Sequence, residues 1–257
     1  MRELSLFTGA GGGVIGTSLL GAHTVGYVEW NEYCQKVIRQ RIDDGWLPEA
    51  PIFSDIRAFN SEGYAGSYSG MVDLITAGFP CQPFSAAGKQ KGEEDNRNMW
   101  PATLDAIRLI GPKILFLENV PALLTDQYAK RICADLARLG FDAKWGVLGA
   151  GETGSICTGK RLWILAIATN CPMLESLEFL ENYIIDSEKS RRRQFTGAVR
   201  AAFSQDDYTQ FKRNRHAVAN GMEQLKAIGN GLEIHVARLA GAAGWPDLDD
   251  CDLPQTG

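Results

Sequence analysis

The chain has 257 residues, of which 45% are hydrophobic and 22% are charged. These proportions are ordinary for a globular protein and exclude wholesale disorder. No run of 18 consecutive apolar residues occurs, so no membrane span is expected, and the apolar stretch at the N-terminus is too short for a signal peptide. We therefore expect an intracellular protein.

The net charge of −5 is distributed unevenly along the chain. One segment, residues 189–215, holds eight basic residues against two acidic ones, which leaves the remainder strongly acidic. The basic residues are Lys189, Arg191, Arg192, Arg193, Arg200, Lys212, Arg213 and Arg215. A local basic segment on an acidic protein is typical of an anion-binding surface, although a solvated helical face shows the same pattern.

The six cysteines are scattered and include no Cys-x-x-Cys pair, and the chain has three histidines. This pattern supports neither a zinc site nor a disulfide framework, so no bound metal is expected. Free and mostly buried thiols are the expected state of five of the cysteines. The exception is Cys81, because of the residues that surround it.

In the first two-thirds of the chain, short apolar segments alternate with helical patterns. The predicted strands, in chain order, are Leu4–Phe7, Thr24–Val28, Val72–Ala77, Ile114–Leu117 and Leu162–Ala168. The predicted helices are Tyr33–Asp43, Trp100–Leu109 and Ala129–Leu139. This alternation predicts a doubly wound α/β sheet that binds its ligands beyond the carboxyl ends of the strands.

A glycine-rich loop, FTGAGGGVIG at residues 7–16, follows the first predicted strand. Three of its glycines fit the pattern G-x-G-x-x-G, in which the backbone can approach a ligand closely. Glu29 ends the second predicted strand, where a carboxylate can bind ribose hydroxyls, and Trp30 offers a face for an adenine ring. The combination indicates a nucleoside cofactor and does not separate NAD from S-adenosylmethionine. A purely structural tight turn is the alternative.

The third predicted strand leads into AGFPCQPFS, residues 77–85. Pro80 and Pro83 restrict the backbone on either side of Cys81 and hold its thiol at a rigid turn. A cysteine at such a strand end is poorly placed for the core and favours a nucleophile, which requires a locally lowered thiol pKa. Glu118 follows the fourth predicted strand, so we expect it to face the same crevice, with a solvated surface carboxylate as the alternative.

Six motifs stand in the order and at the approximate spacing found in DNA cytosine-5 methyltransferases, which this chain resembles. They are SLFTGAGGGVIG, Glu29-Trp30, Ser54-Asp55-Ile56, GFPCQPFS, Glu118-Asn119-Val120 and IGNGL. The similarity covers residues 4 to about 168 and resumes near residue 225. It implies a Rossmann-like, S-adenosylmethionine-dependent methyltransferase fold with a reduced second lobe.

The resemblance also implies roles for individual residues around S-adenosyl-L-methionine and a cytosine flipped out of DNA. Cys81 would attack C6 of the cytosine, Glu118 would bind its N3 and amino edge, and Arg161 would contact O2. The implied cofactor-binding residues are Phe7, Thr8, Gly9, Gly11, Glu29, Trp30, Asp55, Ile56, Pro80 and Asn230. The implied DNA-binding residues are Gln82, Ser85, Arg97, Arg191, Arg192, Arg193, Lys212 and Arg213.

The chain departs from the family pattern in two places. Cys157 and Gly159 occupy the glutamine and first arginine positions of the family's Q-x-R-x-R element, which ends here at Arg161. About 55 residues separate Ala168 from Leu225, where family members carry a sizeable target-recognition domain. We therefore expect short or relaxed sequence specificity, or a partner chain that supplies recognition.

The expected organisation follows from these motifs. It comprises a cofactor-binding and catalytic domain at 1–168, a reduced target-recognition and DNA-binding segment at 169–224, a C-terminal motif returning to the catalytic domain at 225–245 and an acidic tail at 246–257. Three other functions stay open. They are the tRNA-directed branch of the same family, a non-catalytic subunit that binds cofactor and DNA, and an NAD-dependent oxidoreductase, for which the glycine loop is the whole support.

Overall fold

The computed structural model describes residues 1–18, 21–80, 98–125, 127–149 and 160–171. Within these ranges one sheet has seven strands in the order β3-β2-β1-β4-β5-β7-β6. The strands are β1 (Arg2–Leu6), β2 (His23–Val28), β3 (Ile52–Phe53), β4 (Leu74–Ala77), β5 (Ile114–Asn119), β6 (Phe141–Gly149) and β7 (Lys160–Ala168). Strands β1 to β5 pair in parallel, whereas β7 is antiparallel to both β5 and β6.

Six α-helices lie between the described strands, together with a 3-10 helix at Pro121–Thr125. The α-helices are α1 (Gly12–Ser18), α2 (Glu32–Asp43), α3 (Ile56–Ser61), α4 (Tyr64–Ser67), α5 (Trp100–Ile110) and α6 (Gln127–Arg138). The arrangement confirms the predicted α/β fold. All five predicted strands and all three predicted helices are present, with bounds that shift by one or two residues.

Capping residues explain where helix α2 begins and where helix α5 ends. The side chain of Asn31 accepts a hydrogen bond from the backbone N–H of Cys34 at 3.0 Å, which satisfies one of the free donors at the start of α2. Helix α5 ends at Gly111, whose φ of 64° lies in the left-handed region that favours glycine.

The main core lies between the sheet and helices α3 to α6. Strands β4 and β5 contribute continuous buried runs, as expected of parallel strands covered on both faces. Trp100 is a large buried side chain of this core, and its indole N–H donates to Asp135 at 3.0 Å, so α5 is tied to α6.

A buried polar cluster joins the first helix to the sheet. Glu3 is completely buried, and its carboxylate accepts hydrogen bonds from Thr17 of α1 at 2.6 Å, Thr24 of β2 at 3.0 Å and Thr76 of β4 at 2.7 Å. Burial raises the pKa of Glu3 above its ordinary value, and the three hydroxyl donors oppose that shift. The carboxylate therefore holds α1 against three neighbouring strands.

Two strands were missed by the pattern analysis. Strand β3 has two residues, too few for an alternation to be recognised. Strand β6, with the sequence FDAKWGVLG, lies at the edge of the sheet and is partly exposed, so its charged residues and glycines hide the strand pattern.

No helix among the described residues is long and apolar enough to cross a membrane. The segments predicted at 225–245 and 246–257, and nearly all of the one at 169–224, lie outside the described residues.

Candidate active site

The carboxyl ends of the parallel strands meet along one edge of the sheet, and most of the predicted site residues that the structure describes lie there. Phe7 follows β1, Glu29 follows β2, and Glu118 lies near the end of β5. Arg161 reaches this edge from the beginning of β7, because β7 runs antiparallel to β5. Arg161 therefore lies at the beginning of its own strand and at the same edge as the carboxyl ends of the parallel strands.

The glycine loop contains backbone conformations with positive φ angles. Phe7 has a φ of 53°, which is unusual for a residue with a side chain, and Gly11 has a φ of 84°. A Cβ at Gly11 would also lie 2.9 Å from Cδ1 of Leu47. Thr8 fixes the start of the loop, because its backbone N–H donates to Val28 O at 3.2 Å and its hydroxyl lies 3.0 Å from Ser5 O.

Glu29 links this loop to the end of β2. Its carboxylate is buried and accepts two backbone hydrogen bonds of 2.7 Å, one from Gly9 and one from Asn31. Burial raises the pKa of Glu29, and the two hydrogen bonds oppose that shift without cancelling it. The position of Glu29 at a strand end was predictable from the sequence, whereas its contact with Gly9, 20 residues away in the chain, was not.

The remaining cofactor candidates lie in contrasting surroundings. Trp30 is 67% exposed, so its indole can accept a flat ligand. Asp55 caps α3 and pairs with Arg57 at 3.1 Å. Partial burial raises the pKa of Asp55, but the hydrogen bonds and charge of Arg57 lower it by more, so the net shift is downward. Ile56 is 3% exposed within the core, and Pro80 is exposed after β4. The predicted cofactor contacts of both stay predictions.

Asn119 connects β5 to the segment that leads to Cys81. Its side-chain N–H donates to the carbonyl of Phe79 at 3.1 Å, and its side-chain oxygen accepts from the backbone N–H of Val120 at 2.9 Å. The Phe79 ring also packs against Trp100, with centroids 5.2 Å apart. Asn119 belongs to one of the six sequence motifs, but the motif indicates no role for it; in the structure its buried side chain bridges the ends of β4 and β5.

An ion pair joins Glu118 to Arg161, as their assignment to one site requires. Nε of Arg161 lies 2.7 Å from Oε1 of Glu118, and the carboxylate side chain is 12% exposed. Burial raises the pKa of Glu118 to about 7, although the charge and hydrogen bond of Arg161 lower it. This carboxyl can therefore hold or release a proton near neutral pH.

Trp163 lies directly across the β5–β7 ladder from Glu118 and stacks on Phe116, with centroids 5.0 Å apart. The ion pair thus lies beside a rigid aromatic pair.

Several predicted site residues lie outside the described residues. They are Cys81, Gln82, Ser85, Arg97, Arg191, Arg192, Arg193, Lys212, Arg213 and Asn230. Of the cysteines in the described ranges, Cys34 and Cys171 are buried and Cys133 is half-buried, and none forms a disulfide. The described ranges contain no group of three His, Cys, Asp or Glu side chains arranged to hold a metal ion.

The site combines three chemical capacities at one edge of the sheet. A glycine loop with a buried carboxylate and an exposed indole can hold a nucleoside. A carboxyl group with a pKa of about 7 can exchange a proton with a bound heterocycle. The segment ending at Pro80, held in place through Asn119, leads directly to the cysteine that the sequence marks as a nucleophile.

Comparison with known proteins agrees with this architecture. Type II methyltransferase M.NgoMIV of Neisseria gonorrhoeae is 34% identical over 168 residues, which cover 64% of this chain and 51% of the relative. Type II methyltransferase M.AplI of Arthrospira platensis is 32% identical over 178 residues, covering 68% and 48%. The chain thus spans about half the length of these curated relatives.

Among solved structures, the S. pombe Dnmt2 methyltransferase has the same fold, with a TM-score of 0.53 and 20% identity over 66% of this chain and 52% of that one. The family model for C-5 cytosine-specific DNA methylases matches residues 1–238. The chain therefore belongs to the C-5 cytosine-specific DNA methylase family.

Proposed function

We propose that this chain transfers a methyl group from S-adenosylmethionine to C5 of cytosine in DNA. The observation that carries the proposal is the Glu118–Arg161 ion pair at the carboxyl ends of the parallel strands, where burial raises the pKa of Glu118 to about 7. Membership of the cytosine methylase family supports the choice of base and of reaction.

The residues at the ends of β1 and β2 fit S-adenosylmethionine. Gly11 lets the loop backbone adopt a φ of 84° and pack against Leu47, where a Cβ would lie 2.9 Å from Cδ1, so the glycine supports the tight loop that would face the cofactor. Glu29 is held by Gly9 and Asn31 in a fixed orientation, with lone pairs to spare for the ribose hydroxyls. Trp30 would carry the adenine ring on its exposed face. When bound, S-adenosylmethionine supplies the sulfonium methyl group that C5 takes up.

Cys81 acts as the nucleophile in this proposal. Its thiolate forms a bond to C6 of a cytosine that has been flipped out of the duplex, since C6 is inaccessible within the base stack. Glu118 in its protonated form donates to N3 as electron density moves into the ring, which makes C5 nucleophilic. After C5 is methylated, a base such as water takes the C5 proton, the C5–C6 double bond re-forms as the C6–sulfur bond breaks and releases the thiolate, and N3 returns its proton to Glu118.

Arg161 has two effects on Glu118. The ion pair fixes the direction of the carboxyl group, and the positive charge of Arg161 keeps the pKa of Glu118 from rising above about 7. In the absence of Arg161, Glu118 would be protonated more firmly and would give up its proton less readily. Arg161 would also contact O2 of the cytosine, as the family resemblance implies.

The DNA-binding residues of this proposal come from the sequence. Arg191, Arg192, Arg193, Lys212 and Arg213 would contact phosphates, which position a duplex without reading its sequence. The short recognition segment favours short or relaxed specificity, or recognition supplied by a partner chain.

A mechanism-based substrate tests the proposal. Duplex DNA that contains 5-fluorocytosine cannot lose a proton from C5 after methylation, so the C6–sulfur bond should persist and the protein–DNA adduct should migrate slowly on a denaturing gel. The wild-type chain should form this adduct in the presence of S-adenosylmethionine, and Cys81→Ser should not. Cys133→Ser is the matched control because Cys133 is a half-buried thiol on α6 and is not one of the predicted site residues. An adduct formed by Cys81→Ser would refute the assignment of the nucleophile.

A further inference from the structure

Arg57 contacts two of the residues assigned to the adenine end of the cofactor. Its guanidinium carbon lies 5.8 Å from the centroid of the Trp30 ring. The same guanidinium donates to both carboxylate oxygens of Asp55, from Nε at 3.2 Å and from Nη2 at 3.1 Å. One planar cation therefore contacts an aromatic ring and a carboxylate at the same time.

The two contacts join neighbouring strand ends. Trp30 lies two residues beyond β2, whereas Asp55 and Arg57 lie at the start of α3, shortly after β3. Strands β2 and β3 pair in parallel, and the backbone N–H of Glu29 donates to Phe53 O at 2.8 Å. Arg57 extends this connection from the backbone to the side chains that project beyond the sheet.

Trp30 needs such support because the protein covers little of it. With 67% of its surface exposed, the indole has one face available to a ligand even though the guanidinium lies against the ring. Cation–π contacts restrain an exposed ring weakly, and the bidentate pair with Asp55 in turn restrains the guanidinium. Together the two contacts restrain an exposed indole that would otherwise rotate more freely.

We propose that Arg57 is a cofactor-positioning residue, which holds the Trp30 indole and the Asp55 carboxylate in the arrangement that receives the adenine of S-adenosylmethionine. The inference rests on the proposed function, because it takes Trp30 and Asp55 as the adenine site. It adds a residue and a physical role that the sequence motifs did not indicate. Arg57 acts through its two neighbours and does not itself touch the reacting atoms.

Calorimetric titration with S-adenosylhomocysteine tests the proposal without requiring turnover. Arg57→Ala should raise the dissociation constant about two- to fivefold, the range that corresponds to an exposed cation–π contact. Arg57→Lys should give an intermediate value, because it keeps a cation near the ring and loses the planar fork. The melting temperature should not change, because Asp55 can still cap the backbone N–H of residue 57.

Arg108→Ala is the matched control. Arg108 is an exposed arginine of α5 that pairs with Asp105 at 3.2 Å. The Arg108→Ala variant should bind S-adenosylhomocysteine with the affinity of the wild-type chain. In a Trp30→Ala background, Arg57→Ala should cost less affinity than in the wild-type chain, because one of the two contacts no longer exists.

Three results would overturn the inference. The first is unchanged or tighter binding by Arg57→Ala, since tighter binding would show that Arg57 covers the adenine surface. The second is strict additivity of the Arg57 and Trp30 substitutions. The third is a loss of affinity by Arg57→Ala together with a clear fall in its melting temperature, which would indicate a general structural role. Failure of the wild-type chain itself to bind would refute the proposed cofactor and this inference together, which separates that failure from the others.

Discussion

The buried carboxyl of Glu118 should make the stability of the protein depend on pH. Its pKa is raised from 4.5 to about 7, mainly by burial. Such a change disfavours the ionised form in the folded chain by about 3 kcal/mol. The unfolded chain loses this proton near pH 4.5, whereas the folded chain keeps it until about pH 7. The stabilising contribution is therefore complete below pH 4.5 and is lost as pH rises through about 7.

Glu118→Gln isolates this effect because the amide does not titrate. Urea unfolding of both proteins from pH 4.5 to 8.5 should show that the wild-type chain loses about 3 kcal/mol relative to the variant across that interval. The same substitution at the exposed Glu62 controls for the general effect of removing a charge. A stability difference between wild type and Glu118→Gln that stays constant with pH would refute the assignment of a raised pKa to Glu118.

Three further predictions concern the glycine loop, its partner Glu29 and the buried polar cluster around Glu3. Glu29→Gln should weaken binding of S-adenosylhomocysteine about tenfold, because the amide has one acceptor oxygen left for the backbone N–H groups of Gly9 and Asn31 and for the ribose hydroxyls; calorimetry measures this, and wild-type affinity would contradict it. Gly11→Ala should destabilise the fold by about 1–2 kcal/mol, because its φ of 84° and the contact with Leu47 both oppose a Cβ. Its melting temperature should fall, and a stabilised variant would show that the loop relaxes freely. Glu3→Ala should cost about 3 kcal/mol in urea unfolding, since three threonine hydroxyls lose their acceptor, and a neutral result would mean that they find other partners.

The fold was predictable because its central strands are buried on both faces. Ile114–Leu117 forms a continuous apolar run, and a run of that length between turn residues indicates a strand in a parallel sheet. Strand β6 was not predicted because it lies at the edge of the sheet, where its residues are unevenly buried and its sequence has no regular hydrophobic pattern. The antiparallel direction of β7 was equally hidden, since a run of buried residues reads the same in either direction.

The sequence identified residues of the candidate site, but it did not predict which residues contact each other. Glu29 and Glu118 were identified from their positions at strand ends, and both lie at the expected edge. Their partners depend on how distant segments meet. Register in the β5–β7 ladder pairs Asn119 with Leu162 and so brings Arg161 beside Glu118. The contact of Arg57 with Trp30 likewise requires β2 and β3 to be paired, and nothing local in the sequence specifies that pairing.

Nucleoside mass spectrometry of unmodified duplex DNA, after incubation with the chain and isotopically labelled S-adenosylmethionine, tests the proposed reaction most directly. We predict labelled 5-methyl-2′-deoxycytidine with the wild-type chain and with Cys133→Ser, and none with Cys81→Ser. Label absent from the DNA but present in tRNA in a parallel reaction, label in another nucleoside, or equal label in the Cys81→Ser reaction would contradict the proposed function.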